Sequence, residues 1–157
     1  MKPNWKRVAV TSASSAAILA SLLLYFEPAP NPGIPYQDVT GVWTNCLGNT
    51  HDVDPKLFYT KEQCKVIDGE NQLGDLEAVD RYVRVPINKN ERAAYASFIH
   101  NVGSANFHHS SLLRWLNKGE HIRACKGLLA WVYAGHKKLA GLVARRQAEY
   151  EICITPN

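Results

Sequence analysis

The chain has 157 residues, of which 46% are apolar and 20% are charged, and it carries four cysteines and a formal net charge of +4. This length and apolar content suit one globular domain with its own core, and they exclude a disordered tail or a collagen-like fibre. Three of the eighteen basic residues precede Glu27 and no acidic residue does, so residues 27–157 hold fifteen bases against fourteen acids. The folded part therefore lacks the basic surplus of a nucleic-acid binder, and we expect no nucleic acid as partner.

The N-terminal leader, residues 1–26, contains an uncharged stretch from Val8 to Phe26. As a helix it would be about 28 Å long, close to the thickness of a bilayer core. The basic residues before it would keep the N-terminus in the cytoplasm and export the rest of the chain; they are Lys2, Lys6 and Arg7. The stretch is nevertheless a poor transmembrane helix, because it contains five hydroxyl side chains: Thr11, Ser12, Ser14, Ser15 and Ser21.

Three interpretations of this leader remain open. A cleaved signal peptide requires small residues after the apolar core, but Glu27 and Pro28 stand there. A permanent anchor is the second possibility. A weak anchor that can later leave the membrane fits the serine and alanine content best. All three interpretations place residues 27–157 outside the cytoplasm.

Export decides how the four cysteines, Cys46, Cys64, Cys125 and Cys153, are interpreted. They form no C-x-x-C pair and no metal-like spacing with histidine, so we expect no metal site. In an exported domain two disulfides are the more natural expectation, and four buried free thiols are the alternative. The residue pattern alone allows three pairings.

The predicted elements form a small β-bearing N-terminal lobe and a helical C-terminal lobe, which is an α+β class. Residues 39–46 have β character, with a candidate turn at Thr40-Gly41. Capping-box patterns open one helix at Thr60 and another at Asn88, and Gly103 ends the second. Further helices are predicted over 110–118, 121–133 and 137–153. The side chains of the last helix that should face the core are Leu139, Leu142, Val143, Tyr150 and Cys153.

Eight basic residues and one acid, Glu120, lie between Arg114 and Arg146. This segment has two interpretations. It is either a solvated helical face or a surface that attracts an anionic polymer outside the membrane, such as the cell wall.

Few residues suggest chemistry by themselves, because the chain has no nucleophile elbow, no H-E-x-x-H and no phosphate-binding or dinucleotide motif. Glu27 follows the leader directly, and Asp38 and Thr44 follow in the β region. Two carboxylates and a hydroxyl are the minimum set for cleaving a glycosidic bond, since one acid protonates the leaving oxygen and the other orients water. On spacing alone this signal is weak.

Longer motifs make the signal specific, because they occur in the same order and at the same spacing as in one enzyme family. These motifs are Phe26-Glu27, Tyr36-x-Asp38-x-x-Gly41-x-Trp43-Thr44, Gly48-x-Thr50-His51, Tyr95-x-x-Phe98-x-x-Asn101-x-Gly103, Phe107-x-x-Ser110, Trp131-x-Tyr133 and Arg145-Arg146-x-x-Glu149. With them, residues 26–153 resemble the phage-type lysozymes, which are muramidases, and within that family the endolysins that bear an N-terminal signal-arrest-release (SAR) segment.

The resemblance implies a lysozyme-like fold and a role for each candidate. Glu27 matches the general acid, Asp38 the carboxylate that positions water in an inverting mechanism, and Thr44 the hydroxyl that helps to hold that water. Ten residues separate Glu27 from Asp38 where the family has eight, and Pro28 replaces the usual glycine, which we interpret as a two-residue insertion. The family's G-x-G-H-T turn is also altered here.

The resemblance further implies cleavage of the β-1,4 bond between N-acetylmuramic acid and N-acetylglucosamine in peptidoglycan, without metal or cofactor. We expect residues 1–26 to form the SAR segment, which tethers the protein reversibly to the inner membrane through Val8–Phe26. Residues 27–157 would form the periplasmic catalytic domain, a monomer that is inactive until its release. Candidate residues for lining the glycan-binding groove are Asn101, Phe107 and Ser110; the alternative for each is a role in the fold alone.

The positions of the predicted elements favour the disulfide pairs Cys46–Cys64 and Cys125–Cys153, although a crossed Cys64–Cys125 arrangement stays open. Two other functions also stay open. One is a membrane-anchored, non-hydrolytic glycan-binding relative, which the inserted loop after Glu27 would permit. The other is a lytic transglycosylase, against which Asp38 and Thr44 argue because that reaction needs no water-positioning acid.

Overall fold

The computed structural model describes residues 14–27 and 31–157. Its elements in chain order are α1 (Ser15–Phe26), β1 (Tyr36–Gln37), β2 (Trp43–Thr44), α2 (Lys61–Tyr82), α3 (Lys89–Val102), α4 (Ser104–His108), α5 (Ser111–Asn117), α6 (His121–Gly127), a 3-10 turn (Leu128–Ala130), β3 (Tyr133–Ala134), β4 (Lys137–Lys138) and α7 (Ala140–Cys153). The predicted α+β class and the division into two lobes are confirmed.

Helix α1 supplies part of the protein core. Ser14 caps it by accepting a hydrogen bond from the Ala17 amide at 3.2 Å, and it ends where Glu27 N–H reaches back to Leu23 O at 2.8 Å. Its apolar face is at most 1% exposed and packs with α3; the face consists of Ile18, Leu19, Leu22 and Leu23. The second half of the predicted span is therefore a core helix in this conformation, and it ends near Glu27 as predicted.

The rest of the leader, including Lys2, Lys6, Arg7, Thr11 and Ser12, lies outside the described residues. None of the helices in residues 14–27 and 31–157 combines the length and the apolar content needed to cross a bilayer.

The β lobe is one antiparallel hairpin that presents Asp38 at its turn. Strands β1 and β2 pair Tyr36 with Thr44 and Gln37 with Trp43. Residues 28–30 of the proline-rich loop before the hairpin lie outside the described residues. The hairpin is joined to α2 by a disulfide between Cys46 and Cys64.

Helices α2 and α3 begin as their capping boxes predict. Thr60 and Gln63 exchange backbone and side-chain hydrogen bonds at the start of α2, and Asn88 and Glu91 do the same for α3. Helix α3 runs through the core, packed against α1, α2 and α7. It ends at Gly103, whose φ of 88° lies in the region that glycine adopts most readily.

The C-terminal lobe departs from the predicted boundaries in three places. The short α4 was not predicted, and α6 ends at Gly127 rather than near 133, followed by the 3-10 turn. Helix α7 begins at Ala140, because Lys137-Lys138 pair instead with Tyr133-Ala134 in a hairpin that turns at Gly135. The second predicted disulfide, Cys125–Cys153, joins α6 to the end of α7, so both pairings are confirmed and the crossed arrangement is not adopted.

Candidate active site

The three residues predicted to carry the chemistry lie in one cleft between the β lobe and the helical lobe. Glu27, Asp38 and Thr44 all line it, together with Tyr36, and its volume is about 670 Å³. Burial raises the pKa of the Tyr36 phenol, and the negative charges of the nearby Glu27 and Asp38 raise it further. The insertion after Glu27 therefore does not keep the two carboxylates from facing the same space.

Glu27 is held by contacts from distant parts of the chain. It lies directly after α1, and its Oε1 accepts a hydrogen bond from Arg145 Nη1 of α7. Its other oxygen, Oε2, lies beside Gly48, where a β-carbon would approach to 3.0 Å. With only 21% of its side chain exposed, Glu27 has a carboxylate confined between α7 and the turn after β2.

Behind Glu27 lies a buried network of charges. Arg145 Nε donates to Glu149 Oε1 at 3.1 Å, and Arg146 Nη1 donates to Glu149 Oε2 at 2.6 Å. Ser97 of α3 also donates to Glu149 Oε1 at 2.7 Å. Burial disfavours the charge of Arg145, but the nearby Glu149 and Glu27 outweigh it and raise the pKa of its guanidinium. The network thus compensates its own buried charges, as charges inside a protein require.

The predicted inward face of this helix is correct in part. Cys153 is buried and Tyr150 packs against the core, as predicted, but Val143 is 39% exposed and the buried residues of α7 also include Arg145, Arg146 and Glu149. A signal was present, since Arg145 and Arg146 stand four and three positions before Glu149, a spacing at which opposite charges meet on a helix. Both arginines belong to the basic segment 114–146, whose other six basic residues are exposed.

Asp38 is held within its own turn. Its Oδ1 accepts hydrogen bonds from the amide and hydroxyl of Thr40, at 2.8 and 2.7 Å, and from the amide of Val42 at 3.0 Å. The hydroxyl bond is the strongest influence, and with the amide bonds it lowers the pKa of Asp38 despite a smaller opposing effect of burial. Asp38 is therefore a carboxylate at neutral pH and acts as an acceptor, not as an acid.

Thr44 is 3% exposed, and its hydroxyl donates to Val42 O at 3.0 Å. Because its hydrogen is used in this way, Thr44 can interact with a water in the cleft only as an acceptor. Asp38 and Thr44 thus offer two acceptor positions in the same cleft.

Of the three candidate groove residues, only Asn101 lines the cleft, and its Oδ1 accepts from Arg146. Phe107 is 0% exposed and packs on Phe98 and Tyr95, so its role is in the core. Ser110 is buried as the N-cap of α5, where its hydroxyl accepts from the Leu113 amide and donates to Phe107 O. Phe107 and Ser110 are therefore corrected to residues of the fold.

Within residues 14–27 and 31–157, no group of three or more histidine, cysteine, aspartate or glutamate side chains is placed to hold a metal ion. The residues that line the cleft can instead move a proton and bind water.

Comparison with known proteins shows the family and the fold. A family model described as phage lysozyme matches residues 33–149. The SAR-endolysin of Enterobacteria phage P21 is 36% identical over 98% of both chains. The solved muramidase domain of SpmX from Asticaccaulis excentricus is 27% identical, with a TM-score of 0.78 over 88% of this chain and 95% of its own. The active form of the P1 phage endolysin Lyz, at 23% identity, has the same fold, with a TM-score of 0.78 over 96% of this chain and 91% of its own.

Proposed function

Since the chain belongs to the phage lysozyme family, we propose that it is an endolysin that hydrolyses the β-1,4 bond between N-acetylmuramic acid and N-acetylglucosamine in peptidoglycan. The observation that carries this proposal is the meeting of Glu27, Asp38 and Thr44 in one cleft between the lobes.

Glu27 is the proposed general acid. Arg145 holds its Oε1, which leaves Oε2, beside Gly48, as the oxygen that carries the proton to the glycosidic oxygen. Its partial burial supports this role, because a carboxyl group shielded from water transfers its proton to the leaving group rather than to solvent.

Asp38 and Thr44 are proposed to position the attacking water. If its two hydrogens point to the Asp38 carboxylate and to the Thr44 hydroxyl oxygen, a lone pair on its oxygen is left for the anomeric carbon. Asp38 takes the proton as the new bond forms, which is the role of the base in an inverting glycosidase.

The position of α1 supports control by release from the membrane, with the domain acting in the periplasm. The residues that would lie in a bilayer, Ile18 to Leu23, are those that fill the core under α3, so one helix cannot occupy both places. Because Glu27 follows α1 directly, docking of the helix is also what brings the acid to Arg145. The tethered protein would therefore lack its general acid.

The product of digestion tests the reaction. Purified protein is incubated with peptidoglycan and the fragments are analysed by mass spectrometry. Fragments with a reducing muramic acid end are expected. An anhydro end would show a transglycosylase, and an intact polymer would show a glycan-binding protein; either result would overturn the proposal.

Release is tested at two exposed positions of α1, Ala16 and Ala17. Replacing both with leucine makes the span more apolar without altering the buried face, and each leucine favours membrane insertion by about 0.3–0.6 kcal/mol. We expect this variant to stay in the membrane fraction and to lyse cells late. The matched control, glutamine at both positions, should be released early. Equal release and lysis times in both variants would contradict control by release.

A further inference from the structure

A second buried charged pair lies beside the cleft, formed by His100 of α3 and Asp75 of α2. His100 Nδ1 lies 2.7 Å from Asp75 Oδ2, and His100 Nε2 lies 3.1 Å from the carbonyl oxygen of Leu47. The His100 side chain is 8% exposed and that of Asp75 is 15% exposed. The imidazole therefore bridges a helix of the large lobe and the turn that follows β2.

Both partners of this imidazole are acceptors. A carboxylate and a carbonyl oxygen donate no hydrogen, so both ring nitrogens must carry one if both bonds are to form. A neutral imidazole has one N–H and can make only one of them. The bridge as it stands therefore calls for the imidazolium form of His100.

The turn that His100 contacts is the surface against which Glu27 rests. Leu47 is held on its other side as well, since its amide donates to Asp68 Oδ1 at 3.0 Å. The next residue, Gly48, has a φ of 76°, and a β-carbon there would lie 3.0 Å from Glu27 Oε2 and 3.4 Å from His100 Nε2. A shift of the Leu47 carbonyl would thus move Gly48 relative to the Glu27 carboxylate.

We propose that the imidazolium of His100 is a positioning residue for Glu27, which it serves by tying the Leu47–Gly48 turn to Asp75. This rests on the proposed role of Glu27 as the general acid. When His100 loses a proton it releases one of its two partners, and the turn no longer holds Glu27 Oε2 in place.

The charges around His100 determine the pH at which this happens. Asp75 and Asp68 face it from α2, Glu27 from the end of α1, and Arg145 from α7. Burial works to lower the pKa of His100, and the Arg145 charge adds to this, but the bond and charge of Asp75 with the charge of Glu27 leave the pKa raised above 6.5. The bridge is then complete at and below that pH and is lost as the pH rises through the raised value.

Nuclear magnetic resonance on the released wild-type protein tests the bridge without any activity assay. The imidazole nitrogens of His100 should report two attached hydrogens at and below pH 6.5. On titration to alkaline pH, the amide signals of Leu47 and Gly48 should shift with the same midpoint as the ring. A neutral ring at pH 6.5, or amide signals that do not follow the ring, would overturn the proposal.

Kinetics of His100→Gln test positioning. Glutamine can still donate to Leu47 O but carries no charge and cannot also reach Asp75. We expect kcat to fall about 10-fold, since small displacements of a catalytic group carry such costs, while KM stays within about twofold. Wild-type kcat should decline as the pH rises through the raised pKa of His100, and this alkaline decline should be absent from His100→Gln. The matched control is His121→Gln, which breaks the other histidine–carboxylate pair, with Glu91 at 2.6 Å at the opposite end of α3; it should keep both kcat and the decline.

The two proposals fail separately. Full activity of Glu27→Gln would remove Glu27 as the acid and, with it, the positioning role of His100. Wild-type kcat and an unchanged alkaline decline in His100→Gln would overturn the role of His100 alone. If His100→Gln does not fold, the resonance experiment on the wild type still decides.

Discussion

The two sides of the cleft hold their carboxylates in opposite ways. Asp38 is bound by Thr40 and Val42, residues two and four positions away in its own turn. Glu27 is bound by Arg145, which is 118 positions away and itself buried among charges. One acid thus depends on a local turn, whereas the other depends on the docking of α1 and α7 in the finished fold. Under the proposed control by membrane release, undocking of α1 would therefore remove Glu27 from the site and leave Asp38 in place.

The largest effect is expected from Glu27→Gln. The amide has the same shape and can still accept from Arg145, but it cannot protonate the leaving oxygen. The rate of peptidoglycan hydrolysis should fall by about 10²–10⁴, measured at a temperature at which the variant is folded, because Arg145 also loses one of the two carboxylates that balance its buried charge. Glu120→Gln is the matched control, because Glu120 makes only an exposed pair with Arg123 and its loss should leave the rate intact. Wild-type activity in Glu27→Gln would show that the acid lies elsewhere.

The next largest effect is expected from Arg145→Met, which removes the link between Glu27 and the buried network. Glu149 keeps its ion pair with Arg146 but loses the one with Arg145, and Glu27 loses the hydrogen bond that Arg145 donates to it. Breaking a buried ion pair on one side costs about 3–5 kcal/mol, measurable as a lower free energy of unfolding in urea.

The control for this substitution is Arg123→Met, at an exposed pair with Glu120. Exposed pairs contribute about 0–1 kcal/mol, so the two variants should differ by several kcal/mol. Equal losses of stability would mean that the network behind Glu27 does not hold the fold together.

Loss of either disulfide should lower stability to a similar extent, but loss of only one of them should lower kcat. Replacing Cys125 and Cys153 with alanine, or Cys46 and Cys64, should each lower stability by about 3–4 kcal/mol under the chain-entropy model. Only loss of the Cys46–Cys64 pair should also lower kcat of the folded protein, because that pair anchors the turn that contacts Glu27. Kinetics at a temperature where both variants are folded check this; equal kcat values would contradict it.

The smallest effect is expected from Thr40→Val, which removes the hydroxyl bond to Asp38 at 2.7 Å. Since this bond is the leading cause of the low pKa of Asp38, that pKa should rise toward its ordinary value. The carboxyl carbon resonance of Asp38 should follow the change on acid titration, with unfolding free energy altered by less than about 0.5 kcal/mol. An unchanged pKa would show that the amides alone hold Asp38.

The sequence was most informative where structure is local. The capping boxes at Thr60 and Asn88 correctly placed the starts of α2 and α3, because a cap is made by residues within four positions of each other. The end of α1 at Glu27 and the turn around Asp38 were also correctly predicted, since proline restricts φ and glycine permits a positive φ independently of distant contacts. Motif order identified the family and singled out Glu27, Asp38 and Thr44 as candidates, which lie in one cleft.

Only the tertiary structure decided what surrounds those residues. Part of the inward face of α7 is charged, and periodicity could not reveal this because apolarity normally marks a buried face, whereas here the charges of Arg145 and Arg146 are balanced by those of Glu149 and Glu27. The cleft residues Gly48 and His100 and the core role of Phe107 likewise depend on contacts between distant segments. The same holds for α1, because its apolar residues would be removed from water equally by a bilayer interior and by a protein core. In the folded domain they pack on α3, and the end of the same helix places Glu27 beside Arg145.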